Sequence, residues 1–469
     1  PQEVAQEHAG DCFSFVRLFV TAMKTSEFMI ILSHFLGCFN GLGMVYSFGY
    51  WMPALLDEFG GSQAQTQLMV GLLQSGFFLG GIPARLVLKK FGFRFTYLAG
   101  SAIMVVVLLI MSFAQELWVA YLVVLAGLGM HAPFLASGSL IPRHLSQQNA
   151  ARYNAFAVTG SGFGTIAWAN LARVLIPEVG WRVGLRVLAA CVASLYLVGA
   201  VGQYEPPALS ASDQKAADGG MFAVFKDPKF KITCAAVACS GFGYILPFAV
   251  QAVHAENIGL TSGESATVYT IFGTFSIAGR ISAGLVAARC NPLVVWVGAY
   301  WAIGGCISLV AAAPNFEVLA LGNAMLGLAS GPMIALIIPG LRELVGLARI
   351  PDALVWIMVV QGMSSLPAPT VAGWLADQTG SYVEGILIGA GGVIMGAAAL
   401  TVVTARALEE RRALRKEAGQ EEKPGKSGNA EAAAAAAAAA VQKPAEGEDE
   451  PAEEQKPKPA PVVVREVEP

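Results

Sequence analysis

The chain has 469 residues, of which 55% are hydrophobic and 13% are charged. Soluble domains carry about 25% charged residues, and a soluble core stops growing near roughly 250–300 residues, so the composition excludes a soluble enzyme and indicates a chain embedded in the lipid bilayer. The net charge of −3 and the lack of a basic block also argue against a nucleic-acid partner.

The first half of the chain contains six apolar windows after a polar start. Residues 1–27 lack the basic start and short apolar stretch of a signal peptide, and we predict that they form a cytoplasmic segment. Crossing the hydrocarbon core takes about 20 mostly apolar residues. Windows of this kind lie at 28–52, 67–88, 95–114, 117–142, 152–175 and 183–203.

The second half repeats this organisation after a polar stretch. Residues 204–228 are predicted to be a cytoplasmic linker between two halves of nearly equal length, 28–203 and 229–405. The six windows of the second half lie at 230–254, 264–288, 292–313, 316–340, 352–376 and 382–405. The sequence therefore predicts twelve transmembrane helices.

The tail, residues 406–469, differs in composition from the rest of the chain. It begins as a charged helix and becomes rich in Pro, Glu, Lys and Ala, with nine alanines at 432–440. Large apolar groups are too few to form a core. We predict a disordered cytoplasmic tail, and a segment for a partner or for trafficking is the alternative.

The positions of Lys and Arg predict the orientation of the spans. With a cytoplasmic N-terminus, the inner loops contain Lys89, Lys90, Arg94, Arg143, Lys215, Lys226, Lys229, Arg289, Arg342 and Arg349. The predicted outer loops, at 56–66, 115–116, 255–263, 314–315 and 377–381, contain none. Only Arg182, at the edge of the connection between the fifth and sixth spans, is ambiguous. Both termini are therefore predicted to be cytoplasmic.

A short internal repeat supports two related halves. Phe48–Pro53 in the first span reads FGYWMP, and Phe242–Pro247 in the seventh reads FGYILP. Duplicated six-span halves are typical of the major-facilitator architecture, in which substrate binds between the halves near mid-membrane. The predicted fold class is an all-α integral membrane protein with two pseudo-symmetric six-helix halves.

Arg280 is the charged residue placed most deeply in an apolar span. It lies in the eighth span, beside Thr274, Ser276 and Ser282, with no carboxylate nearby in the same helix. A buried guanidinium without an acidic partner favours an anion, and its planar fork suits a carboxylate. The alternative is a structural arginine that bonds backbone carbonyls.

His34 and His131 are the imidazoles that lie deep in apolar segments, in the first and fourth spans. Either could carry a proton near neutral pH, and a neutral hydrogen-bonding role is the alternative. The acidic residues of the apolar region lie at span ends. No metal-ligand cluster, HExxH or Gly-x-Ser-x-Gly motif occurs there, so we expect no enzymatic activity, metal or cofactor.

Several motifs resemble the monocarboxylate-transporter family of the major facilitator superfamily, over nearly all of 28–405. The most specific is Pro367–Tyr382, PAPTVAGWLADQTGSY, with its Asp-x-Thr-Gly-x-Tyr ending. Gly180-Trp181-Arg182, Leu344-Val345-Gly346 and Arg280 are similar to family features as well. The resemblance implies that Arg280 binds a substrate carboxylate.

The chain also departs from the family pattern. Lys24–Phe28 replaces the acidic N-terminal signature. Ser276 stands where proton-coupled members carry Asp, and Tyr46 where they carry a first-span lysine. Ile338 corresponds to a bulky size-filter position. The resemblance thus implies a substrate site of Arg280, Ser276, Tyr46 and Ile338, with an aromatic wall at Tyr46 that suits a larger or aromatic substrate.

These observations favour a carrier of a small carboxylate-bearing solute that works by facilitated diffusion or exchange. Proton symport through His34 or His131 is one alternative, and a transporter-like sensor that signals through its tail is another. By resemblance, the cell membrane is the expected location, and a single-span accessory protein is an expected partner of some members.

Overall fold

The computed structural model describes residues 24–145, 153–154, 156–205, 221–287, 290–346 and 349–417, and this part contains helices and turns but no strand. The predicted linker centre and most of the N-terminal segment and tail lie outside the described residues. The first half contains α1 (Thr25–Ser47), a 3-10 turn (Phe48–Trp51), α2 (Met52–Phe59), α3 (Gln63–Leu79), α4 (Gly81–Met111), α5 (Leu117–Ala120), α6 (Val123–His144) and α7 (Gly160–Ala200).

The second half follows a second 3-10 turn, Met221–Lys226. It contains α8 (Pro228–Tyr244), α9 (Leu246–Asn257), α10 (Ser262–Ala287), α11 (Pro292–Ala311), α12 (Phe316–Ala335), α13 (Ile337–Val345), α14 (Ile350–Ser365), α15 (Pro367–Thr379) and α16 (Val383–Glu417). The last helix continues past residue 405, where we predicted the membrane domain to end.

Nine helical segments of the described chain are long and apolar enough to cross a membrane. The 41-residue helix α7 contains Gly180 at φ 75° and ψ 160°, and its length of about 60 Å is twice the hydrocarbon thickness, so it accounts for two predicted spans. The remaining predicted spans fall on α3, with 17 residues, and α10, with 26. The predicted all-helical membrane fold is therefore confirmed.

Local sequence explains where several helices begin and where α4 and α7 bend. The hydroxyl of Ser62 accepts the N–H of Gln65 to cap α3, and Asn291 caps α11 through the N–H of Leu293. Proline follows at the first turn of α11, where its missing N–H costs nothing. Gly92 and Gly180, both at positive φ, let α4 and α7 reverse direction without the steric cost of a side chain.

Large apolar side chains cover the outside of the helices. Five of them, each 65–67% exposed, are Leu86, Phe113, Trp118, Leu197 and Met363. An exposed apolar surface of this extent suits lipid tails rather than water. The chain is accordingly a multi-pass membrane protein.

The two copies of the internal repeat are broken helices that meet each other. The first copy contains the 3-10 turn before α2, and the second contains the break between α8 and α9. Gly49 of the first packs on the carbonyl oxygen of Phe248, just after the second, and leaves no room for a Cβ. Broken helices at a half-to-half interface are where carriers of this architecture build their sites.

Hydrogen bonds close the two halves together at the predicted outer end. The carboxylate of Asp377, on α15, accepts the N–H of Gln63 at 2.8 Å and that of Ala64 at 3.2 Å, at the start of α3. The hydroxyl of Tyr382 donates to the side chain of Gln63 at 2.5 Å. The two halves are therefore in direct contact at this end.

Candidate substrate-binding site

Arg280 is enclosed in α10, with 2% of its surface exposed. Its Nη1 donates to the hydroxyl of Ser276, one turn earlier, at 2.5 Å. Among the residues that the structure describes, its Nε and Nη2 have no hydrogen-bond partner. These two nitrogens form one edge of the guanidinium, which is the edge that a carboxylate can occupy with two parallel hydrogen bonds.

The second half packs closely around the backbone of Arg280. Gly331 of α12 lies against the backbone of Gly279 and Arg280, without space for a Cβ, and Gly327 lies against Phe272 and Ser276. This four-residue spacing of glycines is typical of close helix packing in membranes. The close approach of α12 fixes the position of the α10 backbone from which the Arg280 side chain extends.

Arg280 takes no part in any of the three ion pairs found among the described residues. Those pairs are Arg85–Asp352, Arg182–Glu58 and Lys229–Glu410. A buried charge without a counter-ion is unfavourable by several kcal/mol. The site therefore has the electrostatic character of an anion-binding site.

Aromatic rings of both halves form a wall beside Arg280. Tyr46 of α1 is 2% exposed. The distance from its ring centroid is 4.8 Å to Phe248, 6.0 Å to Phe272 and 6.3 Å to Tyr244. Tyr46 and Tyr244 are also close enough to Arg280 to interact with it electrostatically. The predicted residues Arg280, Ser276 and Tyr46 thus lie together.

His34 is connected to this site through Cys38. Its Nδ1 lies 3.1 Å from the hydroxyl of Ser137, and its Nε2 lies 3.7 Å from Sγ of Cys38. The Ser137 hydroxyl donates to the carbonyl oxygen of Pro133 at 2.6 Å, so its oxygen can accept a hydrogen bond from Nδ1–H of His34. Cys38 is another group near enough to Arg280 to interact electrostatically.

His131 and Ile338 are not joined to Arg280 by any contact that the described residues show. His131 packs against the rings of Phe77 and Phe134, at 5.2 and 5.6 Å. Ile338 is 43% exposed and lies on α13, past the break at Leu336. Their roles in substrate or proton binding stay predictions.

Sequence reasoning missed the remaining members of the site: Cys38, Tyr244, Phe248 and Phe272. A signal for two of them was present, because Tyr244 lies within the repeated FGY segment and Phe248 directly after it. No cluster of three or more metal-ligating side chains occurs in the part of the chain described.

Comparison with known proteins gives the family. The model of the Major Facilitator Superfamily matches residues 33–299 and 232–460. The crystal structure of a mutant of the nucleoside transporter NupG has the same fold, with a TM-score of 0.65 at 16% identity, and the match covers 81% of this chain and 100% of that one.

Curated relatives confirm the resemblance to monocarboxylate transporters. Monocarboxylate transporter 4 of Gallus gallus is 26% identical over 364 residues, covering 74% of this chain and 77% of the relative. Monocarboxylate transporter 13 of Rattus norvegicus is 24% identical over 384 residues, covering 79% and 87%. Monocarboxylate transporter 11 of Homo sapiens is 26% identical over 388 residues, covering 79% and 81%.

Proposed function

The chain belongs to the Major Facilitator Superfamily, and we propose that it carries a small carboxylate-bearing solute across a membrane by alternating access. The observation that supports this most is the unpartnered Nε–Nη2 edge of Arg280 between the two halves. A carboxylate on this edge makes two charge-assisted hydrogen bonds, each worth about 1.5–3 kcal/mol. The curated relatives are named as monocarboxylate transporters, which agrees with this choice of solute.

The site receives groups from both halves, as alternating access requires. Arg280 and Ser276 come from the second half and hold the carboxylate, while Tyr46 comes from the first half and faces the solute with its ring. The aromatic wall of Tyr46, Tyr244, Phe248 and Phe272 gives the rest of the solute an apolar contact. We assign the two moving bodies to residues 28–203 and 229–405.

We propose facilitated diffusion or exchange without a proton. Ser276, the hydrogen-bond partner of Arg280, has no ionisable group. His34 is 3% exposed, and an apolar surrounding disfavours a charged ring there. Neither Ser276 nor a neutral His34 supplies a proton that could enter and leave with the solute.

A second candidate function is proton symport through His34. The contacts from His34 to Cys38, and from Cys38 towards Arg280, favour it because they place an imidazole within two side chains of the anion site. In this mechanism, protonation of His34 would accompany arrival of the carboxylate. His131, for which no such connection is described, contributes less to this candidate.

The experiment is uptake of labelled lactate, pyruvate, a dicarboxylate and an aromatic amino acid into proteoliposomes, with and without a pH gradient. We expect uptake of at least one carboxylate without dependence on the gradient, and its loss in Arg280→Leu. Strong acceleration by an inward proton gradient would instead support symport. Unchanged uptake in Arg280→Leu would remove Arg280 from the site.

We further propose that both termini lie in the cytoplasm of a cell-membrane carrier, because the predicted outer loops lack Lys and Arg. An epitope added after residue 469 should be labelled by antibody only in permeabilised cells. Labelling of intact cells would reverse the orientation.

A further inference from the structure

A second cavity, mostly apolar with a few polar side chains, lies between the halves near the predicted outer end of the helices. It has a volume of about 140 Å³, and its lining includes Tyr50, Arg173, Glu256, Ser262 and Ser265. Ser265 and Arg280 both belong to α10 and are separated by about 22 Å along the helix. The cavity is therefore distinct from the site at Arg280.

The lining of this cavity contains one positive and one negative side chain, one from each half, and both are exposed. Arg173 belongs to α7 of the first half, and Glu256 to α9 of the second. Both are close enough to Tyr50 to interact with it electrostatically. Their charged atoms are not within ion-pairing distance of each other in the described structure, so each charge is available to a molecule in the cavity.

The floor of the cavity contains an unsatisfied hydroxyl. Ser265 is 3% exposed, and its Oγ has no hydrogen-bond partner. Buried polar groups are nearly always hydrogen-bonded. The hydroxyl of Tyr50, which also lines the cavity, donates to the carbonyl oxygen of Ser262 at 2.8 Å. This bond links the two halves at the cavity.

We propose that this cavity is a binding site for an amino-acid zwitterion, with the carboxylate on Arg173, the ammonium group on Glu256 and a hydrogen bond to Ser265. Asp57 is close enough to Glu256 to add a second negative charge at the ammonium end. The solute occupies this site before the Tyr50–Ser262 bond opens. This step in transport rests on the proposed carrier function. Binding of the zwitterion in the cavity does not depend on that function.

Three ligands of similar size test the contribution of each charge. L-alanine carries both charges, propionate lacks the ammonium group, and ethylamine lacks the carboxylate. Binding is measured by saturation-transfer NMR on the purified full chain carrying Arg280→Leu, so that a ligand carboxylate has no second binding site at Arg280. We expect L-alanine to bind more tightly than either partial ligand. In this background Glu256→Gln should weaken L-alanine about tenfold and leave propionate unaffected, whereas Arg173→Gln should weaken both by a similar factor.

Further variants separate this site from the one at Arg280. In Arg280→Leu, L-alanine should still bind with its dependence on Glu256, even if carboxylate uptake is lost. Glu317→Gln, which removes a charge outside the cavity at the same end of the helices, should change nothing. The exchanged pair Arg173→Glu/Glu256→Arg should restore L-alanine binding, because a zwitterion can bind in the reverse direction.

Two results would overturn the proposal. One is L-alanine binding no tighter than propionate in the Arg280→Leu chain. The other is L-alanine binding that survives both single neutral variants and disappears in Arg280→Leu, which would place all binding at Arg280. Failure of carboxylate uptake alone would count against the proposed function and not against this cavity.

Discussion

Arg182, on α7, and Arg280, on α10, have very different surroundings. Arg182 donates to Glu58 at 2.7 Å and to the carbonyl oxygen of Ala114 at 2.9 Å, and its guanidinium lies 4.4 Å from the ring centroid of Trp181. Its side chain is one-third exposed. Arg280 is buried, makes one hydrogen bond, and leaves an edge of its guanidinium without a partner.

The difference agrees with a structural role for Arg182 and with the proposed binding role for Arg280. The contacts of Arg182 described above all lie within the first half. Its side chain links α7 to the end of α2 and to the turn that follows α4. Arg280 instead lies at the contact between the halves, beside a tyrosine of the other half. A membrane protein keeps an unpaired buried charge only where a ligand, a cavity or a later conformation satisfies it.

The largest expected effect comes from removing each arginine in turn. Arg280→Leu should reduce carboxylate uptake to background and leave the free energy of unfolding unchanged or raised, because an unpaired buried charge is removed. Arg182→Leu should lower the free energy of unfolding by about 1–2 kcal/mol while uptake per folded molecule persists. Chemical denaturation in detergent and proteoliposome uptake measure the two quantities.

The two arginines would have the same role if both variants lost stability equally and kept equal uptake. Surface expression serves as the control for insertion, since a variant that does not reach the membrane reports on neither role.

Giving Arg280 an internal partner should have the next largest effect. In Ser276→Asp the new carboxylate lies where the serine hydroxyl now contacts Nη1, so it competes with the solute for the guanidinium. Uptake should fall about tenfold at neutral pH and rise as the external pH falls, because protonation of the aspartic acid frees the arginine. Ser276→Asn is the matched control, and its uptake should show no such pH response.

A pH-independent loss in Ser276→Asp, equal to that in Ser276→Asn, would mean that the residue acts through its shape and not through charge at Arg280.

A smaller effect is expected from the helix that supports Arg280. In Gly331→Ala the added methyl meets the backbone of Gly279, and overpacking of this kind costs about 1–3 kcal/mol. Uptake should fall severalfold through displacement of α10. Gly305→Ala, on neighbouring α11 where the methyl meets open space, should leave both stability and uptake near those of the unaltered chain. If the two changes had equal effects on uptake, the contact of α12 with α10 would not be what keeps Arg280 in place for transport.

The smallest effect is expected from the histidines. The double variant His34→Ala/His131→Ala should leave the response of uptake to external pH unchanged, because both rings are buried and burial disfavours the charged form. Loss of a pH response that the unaltered chain possesses would establish histidine-mediated coupling.

The fold was predictable because lipid imposes a simple pattern on the sequence. Apolar windows of spanning length require no knowledge of tertiary contacts, and within the described residues each of the twelve windows overlaps a helix. Arg280 was predictable for a related reason, since a charge in an apolar helix stands out. Its open edge was not, because sequence does not reveal which hydrogen bonds a side chain lacks.

The rest of the site depends on contacts between distant segments. Tyr46 and Phe272 are more than two hundred residues apart in sequence, and their rings lie 6.0 Å apart. Ile338 was predicted to line the substrate site from an aligned motif, and this stays a prediction. It follows the break at Leu336, and sequence alone does not reveal where the side chains after such a break lie.

The most direct test of Arg280 as a carboxylate ligand compares each transported carboxylate with its primary amide, which has a similar shape without the charge. Uptake of both is measured for the unaltered chain, Arg280→Leu and Arg280→Lys. We expect strong preference for the carboxylate in the unaltered chain, a weaker preference in Arg280→Lys, which keeps the charge but loses the two-point edge, and none in Arg280→Leu. A full carboxylate preference in Arg280→Leu would contradict the assignment of the site.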